Sequence, residues 1–262
     1  MKVPILLYHG VDTDVPGRLA PYVMSPGLFA EHMQLLADLG RPTTTVSEHV
    51  DRLTRGEDPA EGTVLVTFDD GLADFGRHAW PVLRDLDLAC TLYVVSGRVG
   101  EQAEWLAPLG ATPPMLTGDD LLALDAQGCE IGAHSVSHPE LDTLARHELG
   151  PEVRGARTDL SVRLGHPVRS FAYPHGYHDR RVVDEVRRAG YHSACAVRNM
   201  LSSTDDDPFA LARITIGATC GVDDLRRVLD GEGLRVAPAR ERLRTAGWRT
   251  YRRTRRHLAA AR

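Results

Sequence analysis

Three short clusters hold residues that could do chemistry. Asp69 and Asp70 are adjacent carboxylates. His134 and His138 are imidazoles four apart in His134-Ser135-Val136-Ser137-His138. Tyr173-Pro174-His175-Gly176 is a rigid aromatic and histidine turn. On a helical turn, two imidazoles four apart face one way and can share an ion. Alone, such a pair also arises as surface or capping histidines. One added carboxylate gives an N/N/O set with a coordination position left for water, which marks a catalytic rather than a structural zinc site. Side chains alternate along a strand, so of two adjacent Asp residues one can ligate metal while the other faces substrate as a base. Two neighbouring anions need a cation beside them, and a divalent metal together with Arg169 would supply it.

Elements that could bring the clusters together are visible as alternating patterns. Short apolar runs at 3–8, 63–68, 90–95, 129–133, 170–173, 191–197 and 211–216 read as strands. Amphipathic stretches separate them: 28–39 capped by Ser25-Pro26, 75–86 with Pro81 kinking it or marking its first turn, 119–127, 141–164 interrupted near Gly150-Pro151, and 179–189. Strands alternating with helices imply a parallel sheet covered by helices. Seven strands and no Gly-rich phosphate loop favour a barrel over an open nucleotide-binding sheet. Each polar cluster follows a strand. In a parallel barrel all strand C-termini open on one face, so clusters distant in sequence would meet there.

Composition narrows the classes. With 42% hydrophobic residues over 262 positions, the chain can bury a large core. Cys90, Cys129, Cys195 and Cys220 are widely spaced; the first three sit in or beside apolar runs and read as core thiols of a reducing compartment. The net charge of −5 is uneven. From Pro238 to Arg262 there are nine Arg and one Glu, +8, which leaves −13 on the rest. An acidic body argues against nucleic acid as a partner. The division is therefore a barrel over 1–237 and a basic helical tail over 238–262. Leu243, Trp248, Tyr251 and Leu258 among the tail's arginines suit either a solvated helix packed on the barrel or contact with an anionic membrane surface. The short first apolar run and the lack of a span-length one give a cytoplasmic expectation, with peripheral contact at the inner membrane face.

Thr67-Phe68-Asp69-Asp70-Gly71, His134-Ser135-Val136-Ser137-His138-Pro139 and Arg169-Ser170-Phe171-Ala172-Tyr173-Pro174-His175-Gly176 resemble, in order and separation, the first three motifs of the polysaccharide deacetylase family (NodB homology, carbohydrate esterase family 4). Leu7-Tyr8-His9-Gly10 and Leu211-Ala212-Arg213-Ile214 are similar to its poly-N-acetylglucosamine deacetylase branch. The resemblance implies a distorted (β/α) barrel and a divalent metal, zinc first, on Asp70, His134 and His138. It implies Asp69 as general base, Arg169 holding Asp69 ionised, and the Tyr173 N–H as an oxyanion donor. His9, Pro174 and His175 would contact an N-acetylated saccharide. The family's Asp-x-x-Asp-Trp and Leu-x-His motifs are not visible, so the proton donor is unassigned, with His9 and His175 as candidates. The implied reaction is hydrolysis of an N-acetylhexosamine acetamide. Alternatives are a same-fold hydrolase of another amide or formamide, or a non-catalytic sugar-binding relative.

Overall fold

The computed structural model describes residues 1–13, 15, 17–236 and 251–252. Seven parallel strands close into a barrel: β1 (Ile5–Tyr8), β2 (Leu65–Phe68), β3 (Cys90–Val94), β4 (Glu130–Ala133), β5 (Ser170–Ala172), β6 (Ser193–Val197) and β7 (Leu211–Thr215). Neighbours around the ring run β1 to β7 in chain order, and β7 returns to β1 through Ile214 against Leu6. All seven apolar runs of the sequence become barrel strands. Pro4, without an N–H, separates β1 from the short strand Lys2–Val3, which pairs antiparallel with Ser202–Ser203.

Helices clothe the barrel: α1 (Pro26–Asp38), α2 (Val46–Thr54), α3 (Trp80–Asp85), α4 (Gly118–Ala126), α5 (Arg146–Leu164), α6 (Arg180–Arg188) and α7 (Val222–Leu229). Ser25 caps α1 by accepting the Leu28 N–H, and Thr45 with Glu48 forms a capping box on α2. Two expectations change. The stretch 75–86 divides into a π turn, Phe75–Ala79, and α3, with Pro81 at the start of α3. Helix α5 begins only at Arg146 and runs unbroken through Gly150-Pro151, so Pro151 sits inside the helix rather than marking a break. The tail boundary at 237/238 lies outside the described residues; of the tail, Tyr251 and Arg252 are described.

Alternation along each strand sorts the side chains. Leu6, Tyr8, Val66, Phe68, Leu92, Val94, Phe171 and Ile214 pack outward against the helices in the main core. Ile5, Leu65, Tyr93, Ala172, Cys195 and Leu211 fill the barrel interior. Tyr93 lies across Gly132, where an added Cβ would meet its ring at 2.5 Å, and its hydroxyl hydrogen-bonds Ser170 Oγ at 2.7 Å. Glycine is required there by that close approach. Cys90, Cys129 and Cys195 are buried free thiols, as their apolar settings suggest. Among the described residues no helix is long and apolar enough to cross a membrane.

Candidate active site

The interior phase of the strands sets the site. Asp69 continues the inward row of Leu65 and Thr67. His134 continues β4 beyond Gly132, and His9 continues β1 beyond Ile5 and Leu7. Two residues per step along a strand return the side chain to the same face, so each arrives at the barrel mouth pointing in. A cleft of about 550 Å³ opens there, lined by His9, Asp69, Asp70, His134, His138 and His175 among others. Pro174 is buried behind this wall rather than lining it.

Asp70, His134 and His138 each present one ligand atom, and these lie within 4.8 Å of one another. Asp70 Oδ1 is 3.3 Å from His138 Nε2 and 3.8 Å from His134 Nε2. Ligands about 2.0–2.1 Å from a tetrahedral ion stand roughly 3.3–3.5 Å apart, so the set fits a cation with little movement. The donor chemistry fits too. His134 Nδ1–H donates to the Ala172 carbonyl at 2.8 Å, which leaves the Nε2 lone pair facing Asp70. Asp70 Oδ1 is buried and lacks a hydrogen-bond partner among the described residues. Burial, then the charges of Asp69 and Asp74, push the Asp70 carboxyl up to about 8. Such an anion is poorly accommodated until a cation joins it. Burial lowers His134 to about 4, and burial followed by the neighbouring His134 and His175 lowers His138 well below its ordinary value. Both imidazoles are therefore neutral at pH 7 and able to ligate.

The histidine pair is held by a loop, not by a helical turn. Ser135 (φ 66°) and His138 (φ 62°) are left-handed, and the His138 N–H donates to Ser135 Oγ at 2.9 Å. Glu152 of α5 accepts the Val136 and Ser137 N–H groups at 3.0 and 2.9 Å and anchors the loop from outside. Asp70 (φ 77°) and His175 (φ 58°) are also left-handed. Four non-glycine residues in this backbone region at one mouth is the clustering expected of a functional site. The His138 ring is also packed on two sides by other rings. His138 lies between Trp105, 5.0 Å away and nearly parallel, and His175, 4.6 Å away. Trp105 comes from the long connection between β3 and α4, where no sequence pattern singled it out.

Two assignments need correction. Arg169 does not reach Asp69. It stands just before β5, at the opposite end of the barrel, paired with Asp51 of α2 and with His192 Nδ1. The cation on Asp69 is Arg213 of β7, whose two terminal nitrogens donate to Asp69 Oδ1 and Oδ2 at 2.6 and 2.7 Å. Arg213 is fully buried, touches Thr67 Oγ1, and lies over the Tyr93 ring at 5.4 Å. Its signal was present in the sequence: an arginine in phase with Leu211 in a buried strand must find a carboxylate inside. The second correction is Tyr173. Its N–H donates to the Cys195 carbonyl at 3.0 Å as part of the barrel ladder, so it is not available for an oxyanion. Its side chain points outward, with the hydroxyl on the Phe209 carbonyl.

The electrostatics separate the two neighbouring aspartates. Burial alone would raise Asp69, but Arg213 and His134 outweigh it and hold the carboxyl below its ordinary value. Asp69 Oδ2 lies 3.7 Å from His134 Nε2, so an ionised carboxylate sits beside the candidate metal position. His9 is half-buried with its ring edge toward Tyr22, 5.8 Å away, and its Nδ1 lacks a partner among the described residues. Burial lowers its pKa, with Asp69 opposing.

The chain is similar to known proteins in sequence and in fold. YxkH of Bacillus subtilis (strain 168), whose name places it among polysaccharide deacetylases, is 25% identical over 215 residues, 82% of this chain and 71% of its own length. The Streptococcus pyogenes deacetylase PplD, solved in complex with acetate, superposes with a TM-score of 0.76 at 25% identity, covering 87% of this chain and 98% of that one. IcaB from Ammonifex degensii shares the fold, with a TM-score of 0.72 at 22% identity over 88% of this chain and 97% of that one. The sequence profile described as polysaccharide deacetylase matches residues 56–194, which include Asp69, Asp70, His134, His138 and His175 but neither His9 nor Arg213. That match covers more than half of the chain, and the protein therefore belongs to the polysaccharide deacetylase family, a family of carbohydrate deacetylases.

Proposed function

We propose that the protein is a metal-dependent N-deacetylase that hydrolyses the acetamide of an N-acetylhexosamine-containing saccharide to a free amine and acetate. One observation carries this reading: a buried carboxylate, Asp69, held ionised by Arg213, stands beside a separate Asp70, His134 and His138 set that fits one divalent cation. A sugar-binding module would need neither the spare base nor the cost of burying it.

A cation such as zinc, held by Asp70, His134 and His138, would polarise a water and the acetamide carbonyl and lower the water's pKa from about 15.7 toward about 7. Asp69 takes the proton from the attacking water. Each of its oxygens already accepts one Arg213 bond, and each retains a further lone pair. The oxygen adds to the carbonyl carbon, the C–N bond breaks, and acetate and amine separate. With the Tyr173 N–H committed and Pro174 lacking one, the amide of His175 is the next donor along this wall for the developing oxyanion. His9, at the barrel mouth beside Asp69, is one candidate donor of the proton that the leaving amine requires. Asp69 returning the same proton is the other route. His9→Gln separates them: a lost basic limb in the pH–rate profile of acetate release assigns the proton to His9.

The cleft walls suit a sugar. Tyr22 and Trp105 offer aromatic faces beside a polar floor. For substrate we favour a soluble or lipid-linked N-acetylhexosamine over a finished polymer. Acetate release from N-acetylglucosamine monomers, oligomers and lipid-linked forms, with and without chelator, tests the reading. Chelator-sensitive acetate release supports it. Formate or ammonia release without acetate would show the same scaffold hydrolysing another amide.

A further inference from the structure

Arg252 belongs to the C-terminal segment, yet its side chain is only 6% exposed and lies against the barrel mouth. Its guanidinium donates to both Asp142 carboxylate oxygens, at 2.8 and 2.6 Å, and lies 3.6 Å over the Tyr177 ring. Glu140 is 3.7 Å away. The two principal partners come from different loops of the site. Asp142 lies in the turn Leu141–Thr143, four residues beyond His138, and Tyr177 follows His175-Gly176. The rings continue inward from there: Tyr177 to His175 at 5.8 Å, then His175 to His138 at 4.6 Å. Arg252 thus joins the loop after β4 to the loop after β5 through side chains, while Arg181 at the start of α6 donates to the Asp142 and Leu144 carbonyls of the first loop. Arginine suits this place because its planar fork meets a carboxylate with two bonds while its face covers an aromatic ring; lysine can do one or the other.

We propose that Arg252 is a positioning residue of the active site, tying the His138 loop to the His175–Tyr177 wall so that the saccharide-facing side of the cleft is complete only with Arg252 in place. The effect on turnover rests on the deacetylase reading above; the effect on the two loops does not. Arg252 touches neither the candidate metal ligands nor Asp69, so it acts through His175 and Tyr177 on substrate binding.

The test compares full-length wild type, Arg252→Lys, Arg252→Ala and the double variant Asp142→Asn/Arg252→Ala. Asp142→Asn removes the buried charge that Arg252→Ala would strand, so the double variant isolates the loop tie from folding stability. Amide hydrogen exchange reads the loops directly. Arg252→Ala should speed exchange in residues 138–145 and 174–178 together while strands β1–β7 stay protected. Misplacing a substrate-positioning wall by about 1 Å can cost about 10²-fold. We expect that loss in kcat/KM for acetate release, carried mainly by KM, intermediate in Arg252→Lys and persisting in the double variant. Unchanged exchange in both loops, or a KM defect cured by Asp142→Asn, would overturn the proposal. If wild type releases no acetate, the deacetylase reading fails, and the exchange pattern still decides for or against Arg252.

Discussion

Two arginine–aspartate pairs occupy the two ends of the barrel, and they differ in what surrounds them. Arg213 and Asp69 meet at the mouth with side chains 0% and 4% exposed; Arg169 and Asp51 meet at the base with side chains 36% and 33% exposed. The chemistry of the pairs is the same. Water decides their roles. An exposed pair is screened and contributes little, whereas a buried carboxylate depends wholly on its partner to stay charged. Proximity of Arg169 to the Tyr173 motif in sequence pointed to the wrong pair, because a residue just before a barrel strand and one just after it lie at opposite ends of the molecule.

The comparison can be broken at its strongest point first. Asp69→Asn should retain metal, measured by elemental analysis, and lose acetate release by about 10²–10⁴-fold, the usual contribution of a general base. Near-normal turnover would remove Asp69 from the chemistry. Next, Arg213→Met strands a buried charge and should destabilise folding by about 3–5 kcal/mol in urea denaturation. The double variant Asp69→Asn/Arg213→Met should recover much of that stability and none of the activity. Equal loss in single and double variants would mean that Arg213 matters for packing rather than charge.

The adjacent aspartates repeat the contrast on a smaller scale. Asp69 has a built-in cation and Asp70 does not. In the metal-free chain Asp70 is therefore protonated below about pH 8. Its folded pKa is raised above the ordinary 3.8, so its contribution to stability is full below 3.8 and is lost as pH rises through about 8. Metal binding at pH 7 must then displace about one proton, and affinity should fall about tenfold per pH unit below 8. Calorimetry in buffers of different ionisation enthalpy measures this; no proton release at pH 7 would contradict the assignment. The smallest effect belongs to the exposed pair. Arg169→Ala should change stability by no more than about 1 kcal/mol and leave kcat within about twofold. A larger loss of kcat would reinstate Arg169 near the chemistry.

The barrel itself was readable because each strand is an unbroken apolar run and each site cluster follows one. The convergence of Asp69, Asp70, His134 and His138 followed from that geometry alone. What was missed lay in side-chain phase and in long-range pairing. Arg213 could have been placed inside by counting twos from Leu211. Tyr173 could have been placed outside by the same count, and its N–H within the ladder. Helix α2 carried its capping box, Thr45 to Glu48, in plain view, yet its polar length hid it. By contrast, Glu152 on the 134–138 loop, Trp105 against His138 and Arg252 on Asp142 join residues 16, 33 and 110 positions apart, and no local pattern encodes them.

The most direct test is a crystal grown with zinc and measured at the zinc absorption edge. The account predicts one strong anomalous peak bounded by Asp70, His134 and His138, with Asp69 outside the coordination sphere and still paired with Arg213. No peak in excess zinc, or a peak ligated by Asp69 with Asp70 turned away, would contradict it.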